Sequence, residues 1–463
     1  MEKNIIDYEQ TKEKLQDIVE KGIIKKEDNL AITKYGLPIE HFTVGEGDKD
    51  IVITGATHGS EIITTDFIIK LMESINPENK IWKDILKEFK IHFIPMLNPE
   101  GYLISTSAIR KLIPREMSQE DVQKICKQYY LSYREDDVNP KVEKRYQKMF
   151  ENIDYTCIPE EYLDLREGIK NIFEKYPDLP KGCLQMWSSN GNGVDIQANS
   201  KYNPQIDSIL ANKKIYMKSK RFDNIDISHP GPINCPFDRD EGFKTEIETK
   251  AITELLNKLD EEGKLFLYLN YHSTGGMIYQ RPSIPPEELH ISHEEQEKNE
   301  KINYMLSQAY ASRTYKNRGK DELGMDKRQK TRYLVQTGQM RATSTNDVFR
   351  IKYPQDLLIE LSGMGGNPIA PYGDLEGNYT NTIESNLDAT KFTLHVGSVL
   401  KGMCEEFYDR VKRMEGHDDY ELMMWLEQRI FDEFYEKIMK LRNTQEEFGD
   451  AREKQCGTYD EVR

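Results

Sequence analysis

The sequence predicts an α/β protein whose strands form a mostly parallel sheet. Short apolar runs occur at 51–54, 90–97, 264–271 and 357–361, each of strand length and bounded by turn residues. The first, Ile51 to Thr54, is β-branched throughout, as a strand covered on both faces reads. Between the runs lie stretches whose apolar residues recur at helical spacing. At 463 residues the chain suits one large α/β domain with insertions, or two or three small ones.

In chain order, residues 8–21 read as a charged amphipathic helix. Residues 29–44 read as two extended runs about the turn Tyr35-Gly36-Leu37-Pro38, a hairpin feeding the Ile51 strand. A buried helix follows from near Ser60, then a short one over 81–89. The run 90–97 ends in Asn98-Pro99-Glu100-Gly101-Tyr102, where Pro99 and Gly101 imply a tight, irregular turn. Residues 103–185, rich in Lys, Glu, Arg and Tyr, read as a helical insertion forming a wall or lid. Trp187 to Ile196 is a turn-rich approach to a short strand, and 245–259 is a helix with an acidic first turn. Residues 277–279 read as extended, 294–316 as a helix and 320–332 as a basic loop. Helical patterns return at 384–405 and 420–441, and a polar tail follows. This divides the chain into a main α/β domain over 1–400, a helical extension over 401–445 and a tail over 446–463.

The totals exclude several classes of function. A net charge of −16 argues against nonspecific nucleic-acid binding and against adhesion to an anionic membrane. No stretch approaches the roughly 20 apolar residues of a membrane helix. The opening residues lack the apolar core of a secretory signal, and six scattered cysteines without a Cys-x-x-Cys pair read as free thiols. A cytoplasmic location is the expectation from both.

The chemistry concentrates at strand ends. His58 and Glu61, three apart, sit where the first strand turns into a helix, and ligands bind outside the carboxyl ends of such strands. A lone His-x-x-Glu is common by chance, but no other histidine here has Glu three residues on. The run 264–271 repeats the layout, ending in His272. Glu360 lies inside the fourth run between Ile359 and Leu361, costly for an ionised group unless it faces a polar or metal site. Two imidazoles and one carboxylate suit a catalytic Zn2+ with an open position, and a second carboxylate suits the proton transfers.

These pieces resemble the zinc metallocarboxypeptidases. The matching segments are Gly36-Leu37-Pro38-Ile39, His58-Gly59-Ser60-Glu61, 98–102 and Gly193-Val194-Asp195. Thr245 to Thr249, Tyr271-His272-Ser273 and Ile359-Glu360-Leu361 complete them, in family order over roughly residues 30–400. Residues 272–276 and 363–368 look most like the bacterial branch that cleaves γ-D-glutamyl–diaminopimelate bonds. The resemblance implies a mixed eight-stranded sheet with helices on both faces. It implies His58, Glu61 and His272 as zinc ligands, Glu360 as general base and acid, and Asp195 as the carboxylate that orients a liganding histidine.

The chain also departs from the family pattern. Gln197 and Ala198 stand where the family has the Asn and Arg that clamp a substrate carboxylate, and alanine cannot make that bidentate pair. Ser188 stands where a basic residue usually follows the tryptophan. Gln197 is then a candidate substrate-binding residue, and Arg341 in the loop before Glu360 a candidate replacement for the lost charge. The expected function is hydrolysis of a peptide or γ-glutamyl-type amide, with cell-wall peptides as the implied substrates. The alternatives are an N-acyl amino acid deacylase of the same fold and a metal-retaining protein without catalysis.

Overall fold

The computed structural model describes residues 7–133, 141–177, 179, 182–197, 199, 245–273, 275–280, 292–314, 316–318, 329–331, 333–337, 355–361, 369 and 371–414. Of the sequence expectations, Ala198, Arg341, the segment 363–368, the helix over 420–441 and the polar tail lie outside these residues.

The strands are β1 (Lys25–Lys26), β2 (Ala31–Ile32), β3 (Pro38–Ile39), β4 (Phe42–Val44), β5 (Lys49–Thr54) and β6 (Phe89–Ile94). They continue with β7 (Leu265–Ser273), β8 (Met277–Gln280), β9 (Lys316–Arg318), β10 (Gln329–Thr331), β11 (Leu334–Thr337) and β12 (Asp356–Leu361). Eight of them form one mixed sheet in the order β1-β4-β6-β5-β7-β12-β8-β11. Its centre, β6-β5-β7-β12, is parallel, as the four apolar runs predict, and β4 and β8 run antiparallel to their central neighbours.

The helices are α1 (Tyr8–Glu20), α2 (Ile62–Ser74), α3 (Lys80–Glu88), α4 (Pro99–Leu112), α5 (Gln119–Tyr133), α6 (Lys144–Glu151) and α7 (Leu163–Lys175). The later ones are α8 (Ile247–Glu261), α9 (His293–Arg313) and α10 (Asn378–Met414). Alternation along β5 shows the two layers. Ile51 and Ile53 face a large core shared with α2, α4 and α10, while Val52 faces a smaller one with Ile252, Leu256 and Leu259 of α8. Helix α10 passes position 400 without interruption.

Four local expectations are corrected. The turn expected at 98–102 is the start of α4: Asn98 caps it by accepting from the Gly101 N–H, and Pro99 sits at the first helical position, where its missing N–H costs nothing. That helix is buried along most of its length, from Pro99 through Ile109, so it is core rather than lid. The run 29–44 makes a separate two-stranded sheet, β2-β3, and it is β4 that joins the large sheet, against β6 and not the Ile51 strand. The basic stretch 320–332 ends in β10, which pairs with β9, because extended backbone there has a partner close by in sequence.

Candidate active site

The site begins at the carboxyl end of β5. Gly55 allows the chain to leave the sheet against Ile68, and Ala56 follows with a left-handed φ of 46°, unfavourable for a residue with a Cβ. Two bonds hold it there: the Ala56 N–H donates to Thr64 Oγ1 at 2.8 Å, and the Asn98 N–H donates to the Ala56 carbonyl at 3.0 Å. The turn presents His58, and Glu61 occupies the N-cap of α2 without capping it. Its carboxylate turns to the histidines instead, and the helix end supports its charge.

The two histidines from separate strand ends meet on that carboxylate. His58 Nδ1 is 2.9 Å from Glu61 Oε1, and His272 Nδ1 is 2.9 Å from Glu61 Oε2. The imidazole centroids are 5.0 Å apart with their planes at 66°. His58 is 6 % exposed and His272 1 %, so the contacts lie in protein rather than water. Burial alone would depress both imidazoles. At His58 the carboxylates of Glu61 and Asp195 outweigh it and hold the pKa well above its ordinary value; at His272 burial wins and the pKa is lowered. Burial also opposes ionisation of Glu61, but the imidazoles draw its carboxyl down to about 2.

These three residues fit a zinc ion. One ligand atom from each lies within 4.8 Å of the others, and among the described residues this is the group of three that could hold a metal. Two neutral imidazole nitrogens and a carboxylate are a preferred donor set for a catalytic zinc, at about 2.0–2.2 Å from each atom.

Asp195 reaches the far side of His58, with Oδ1 3.3 Å from Nε2. Its carboxylate is itself set by the Gln197 backbone N–H, which donates to Oδ1 at 2.9 Å. The turn Asn190-Gly191-Asn192-Gly193 brings it there: Asn190 Oδ1 accepts from the N–H groups of Asn192 and Val194, and Gly193 takes φ +76°. Of Gln197 the structure shows this backbone contact.

Glu360 stands on β12 in register with His272 on β7, so the two project from the same face of a parallel pair about 4.8 Å apart. Ile359 and Leu361 on either side are fully buried, while Glu360 keeps part of its surface. Burial and the Glu61 carboxylate push its pKa up to about 8, with His58 pulling the other way. A divalent cation on the neighbouring ligands would draw it back down. Gly275 leaves room beside it, since a Cβ there would sit 3.2 Å from the Glu360 Cβ.

Several residues without an expected role from the sequence help to build this site. Ser188, read as a missing cation, places its Oγ 3.1 Å from Ser60 Oγ, and its carbonyl accepts from the Gly59 N–H at 3.1 Å. Glu100 and Glu248, both inside quoted motifs, clamp the Asp195 loop. Glu100 accepts from the N–H groups of Tyr35 and Gly191, each at 2.9 Å, and Asn190 Nδ2 donates to Glu248 at 3.3 Å. Their signal in sequence was position: acids at the starts of two helices.

Comparison with known proteins places these features in a family. The sequence profile of the zinc carboxypeptidases matches residues 29–368. No curated protein sequence matches this one. Three solved structures align with the chain at low identity. Bovine thrombin-activatable fibrinolysis inhibitor, in complex with tick carboxypeptidase inhibitor, is 12% identical, with 86% of this chain and 98% of that one covered and a TM-score of 0.44. Carboxypeptidase A from Helicoverpa armigera is 14% identical, covering 84% and 74%, with a TM-score of 0.42. A metallo-carboxypeptidase from Burkholderia cenocepacia is 9% identical, covering 84% and 68%, with a TM-score of 0.37. On the strength of a profile match over most of its length, the chain belongs to the zinc carboxypeptidase family and is a zinc metallopeptidase.

Proposed function

We propose that this metallopeptidase hydrolyses a γ-glutamyl-type amide in cell-wall-derived peptides, with His58, Glu61 and His272 holding the zinc and Glu360 moving the proton. The observation that carries the assignment is the pair of 2.9 Å contacts from the two histidine Nδ1 atoms to separate oxygens of Glu61, with Glu360 in register beside His272. When bound, zinc supplies a Lewis acid that polarises a carbonyl and acidifies water. Glu360 Oε accepts the proton of the attacking water and returns it to the leaving nitrogen. Asp195, 3.3 Å from His58 Nε2, would hold the ring so that Nδ1 is free to ligate the zinc. The substrate class rests on the likeness of residues 272–276 and 363–368 to the bacterial γ-D-glutamyl–diaminopimelate branch, while the replacement of the carboxylate clamp by Gln197 and Ala198 argues against classical release of a C-terminal amino acid. A pocket without that arginine loses its hold on a terminal α-carboxylate.

The test is turnover on three panels: peptides bearing a γ-D-glutamyl–diaminopimelate bond, ordinary peptides with a free C-terminus, and N-acyl amino acids. The first panel should be cleaved fastest. Preference for N-acyl amino acids would support the deacylase reading, which the missing arginine also permits. Glu360→Gln should lower turnover by about 10²–10⁴-fold or more and leave zinc bound.

A further inference from the structure

A second polar constellation lies on the α8 face of the sheet. Asp50 is the second residue of β5, His92 lies on β6, and His41 immediately precedes β4. His92 Nε2 is 2.8 Å from Asp50 Oδ1, and His41 Nε2 is 2.8 Å from His92 Nδ1. The two imidazoles are nearly coplanar, at 13°. All three side chains are more than nine-tenths buried, His41 being 8% exposed. The chain of bonds has one direction. The carboxylate accepts, so His92 Nε2 carries its proton. His92 Nδ1 is then the acceptor, and the His41 Nε2–H donates to it.

That leaves His41 Nδ1 as a lone pair. It makes no hydrogen bond among the described residues. His41 lines a cavity of about 390 Å³, within the size range of small-molecule sites. Burial and the adjacent His92 push the His41 pKa down to about 4, so it presents an acceptor and not a charge at neutral pH. Glu27, Asp28 and Asp48 line the cavity together with the apolar Leu255 and Leu259 of α8. Five carboxylates line the cavity against three lysines, so its formal balance is negative. Among the described residues His41 contributes to no three-ligand cluster of the kind found at His58, Glu61 and His272.

We propose that this cavity is a second ligand site, separate from the zinc centre, for a small organic cation whose N–H group donates to His41 Nδ1. Its ligand is an alkylammonium or alkylguanidinium group. The carboxylates offset the charge, and Leu255 and Leu259 take the alkyl part.

The test is isothermal calorimetry on the zinc-loaded full chain with n-butylammonium, n-butylguanidinium and butyrate. At least one of the two cations should bind with a Kd of about 1 mM or tighter, and butyrate should not. His41→Phe removes the acceptor and should weaken cation binding about tenfold or more. Because that change also breaks the bond to His92, Leu255→Trp provides a second variant: it fills the cavity from α8, leaves the relay intact and should weaken binding equally. Absence of cation binding, binding of butyrate as tight as of the cations, or cation binding unchanged in both variants would overturn the proposal.

Discussion

Asp195 Oδ1 lies 3.3 Å from Nε2 of His58, on the edge of the ring opposite the 2.9 Å contact between Nδ1 and Glu61. The imidazole is therefore held from both edges by carboxylates, one that would share the metal with it and one that fixes its tautomer. Removing the second should leave the three ligands present but loosen one of them. Asp195→Ala is expected to weaken zinc binding about 10–100-fold. A competition titration against a chromophoric chelator checks this; unchanged affinity would mean that Asp195 does not set the ring.

Zinc should also stabilise the fold. Metal-free, the cluster is a buried set of two imidazoles and a carboxylate. At a free zinc concentration about 100 times the Kd, the gain is about 2.7 kcal/mol. Urea denaturation with and without a chelator measures it. In His272→Ala the gap between the two curves should close.

The loop that carries His58 is packed too tightly for a side chain at Gly59. A Cβ there would lie 2.1 Å from the backbone carbon of Gly101, and neither segment is free to give, since Asn98 ties both to the Ser188 loop. Gly59→Ala is expected to cost about 1–3 kcal/mol, the range for overpacking, and to weaken zinc binding because the strain falls beside a ligand. Denaturant titration checks the first effect. Wild-type stability in this variant would show that the three loops are not locked together.

Stability should fall as the pH rises through neutrality because of Glu248. Burial, with the Glu100 carboxylate beside it, pushes its pKa up to about 8. The native state therefore holds a proton that the unfolded chain loses near its ordinary carboxylate pKa. This contribution is fully present below about pH 4.5 and is lost progressively up to about pH 8. Glu100 is raised as well, chiefly by burial, so the pair resists full ionisation. Glu248→Gln should flatten the dependence of Tm on pH between about 5 and 8 and leave the variant relatively more stable at the upper end. A wild-type profile that rises across this interval would contradict the account.

Much of this architecture was legible in the residues. The β-branched run at 51–54 and the apolar runs ending at His272 and Leu361 gave three of the four parallel strands within a residue or two, because a strand covered on both faces has no polar face to blur its edges. His58, Glu61, His272 and Glu360 were legible because each is a polar group where an apolar run ends or is interrupted. The start of α4 was misread because proline and glycine mark turns, whereas Asn98 with Pro99 after it also makes a helix cap. The relay Asp50-His92-His41 left no mark, since its members lie on three different strands or strand edges and meet only through the register of β5, β6 and β4. Likewise, nothing in sequence pairs Glu100 with Glu248, 148 positions on; only the packed Asn190 loop joins them.

The most direct measurement is the zinc K-edge X-ray absorption spectrum of the protein carrying one equivalent of zinc. It should show two imidazole shells and carboxylate oxygen at about 2.0–2.2 Å, with one imidazole shell lost in His272→Ala. Sulfur neighbours, a single imidazole in the wild type, or failure to retain zinc at all would contradict the meeting of His58, Glu61 and His272 on one ion.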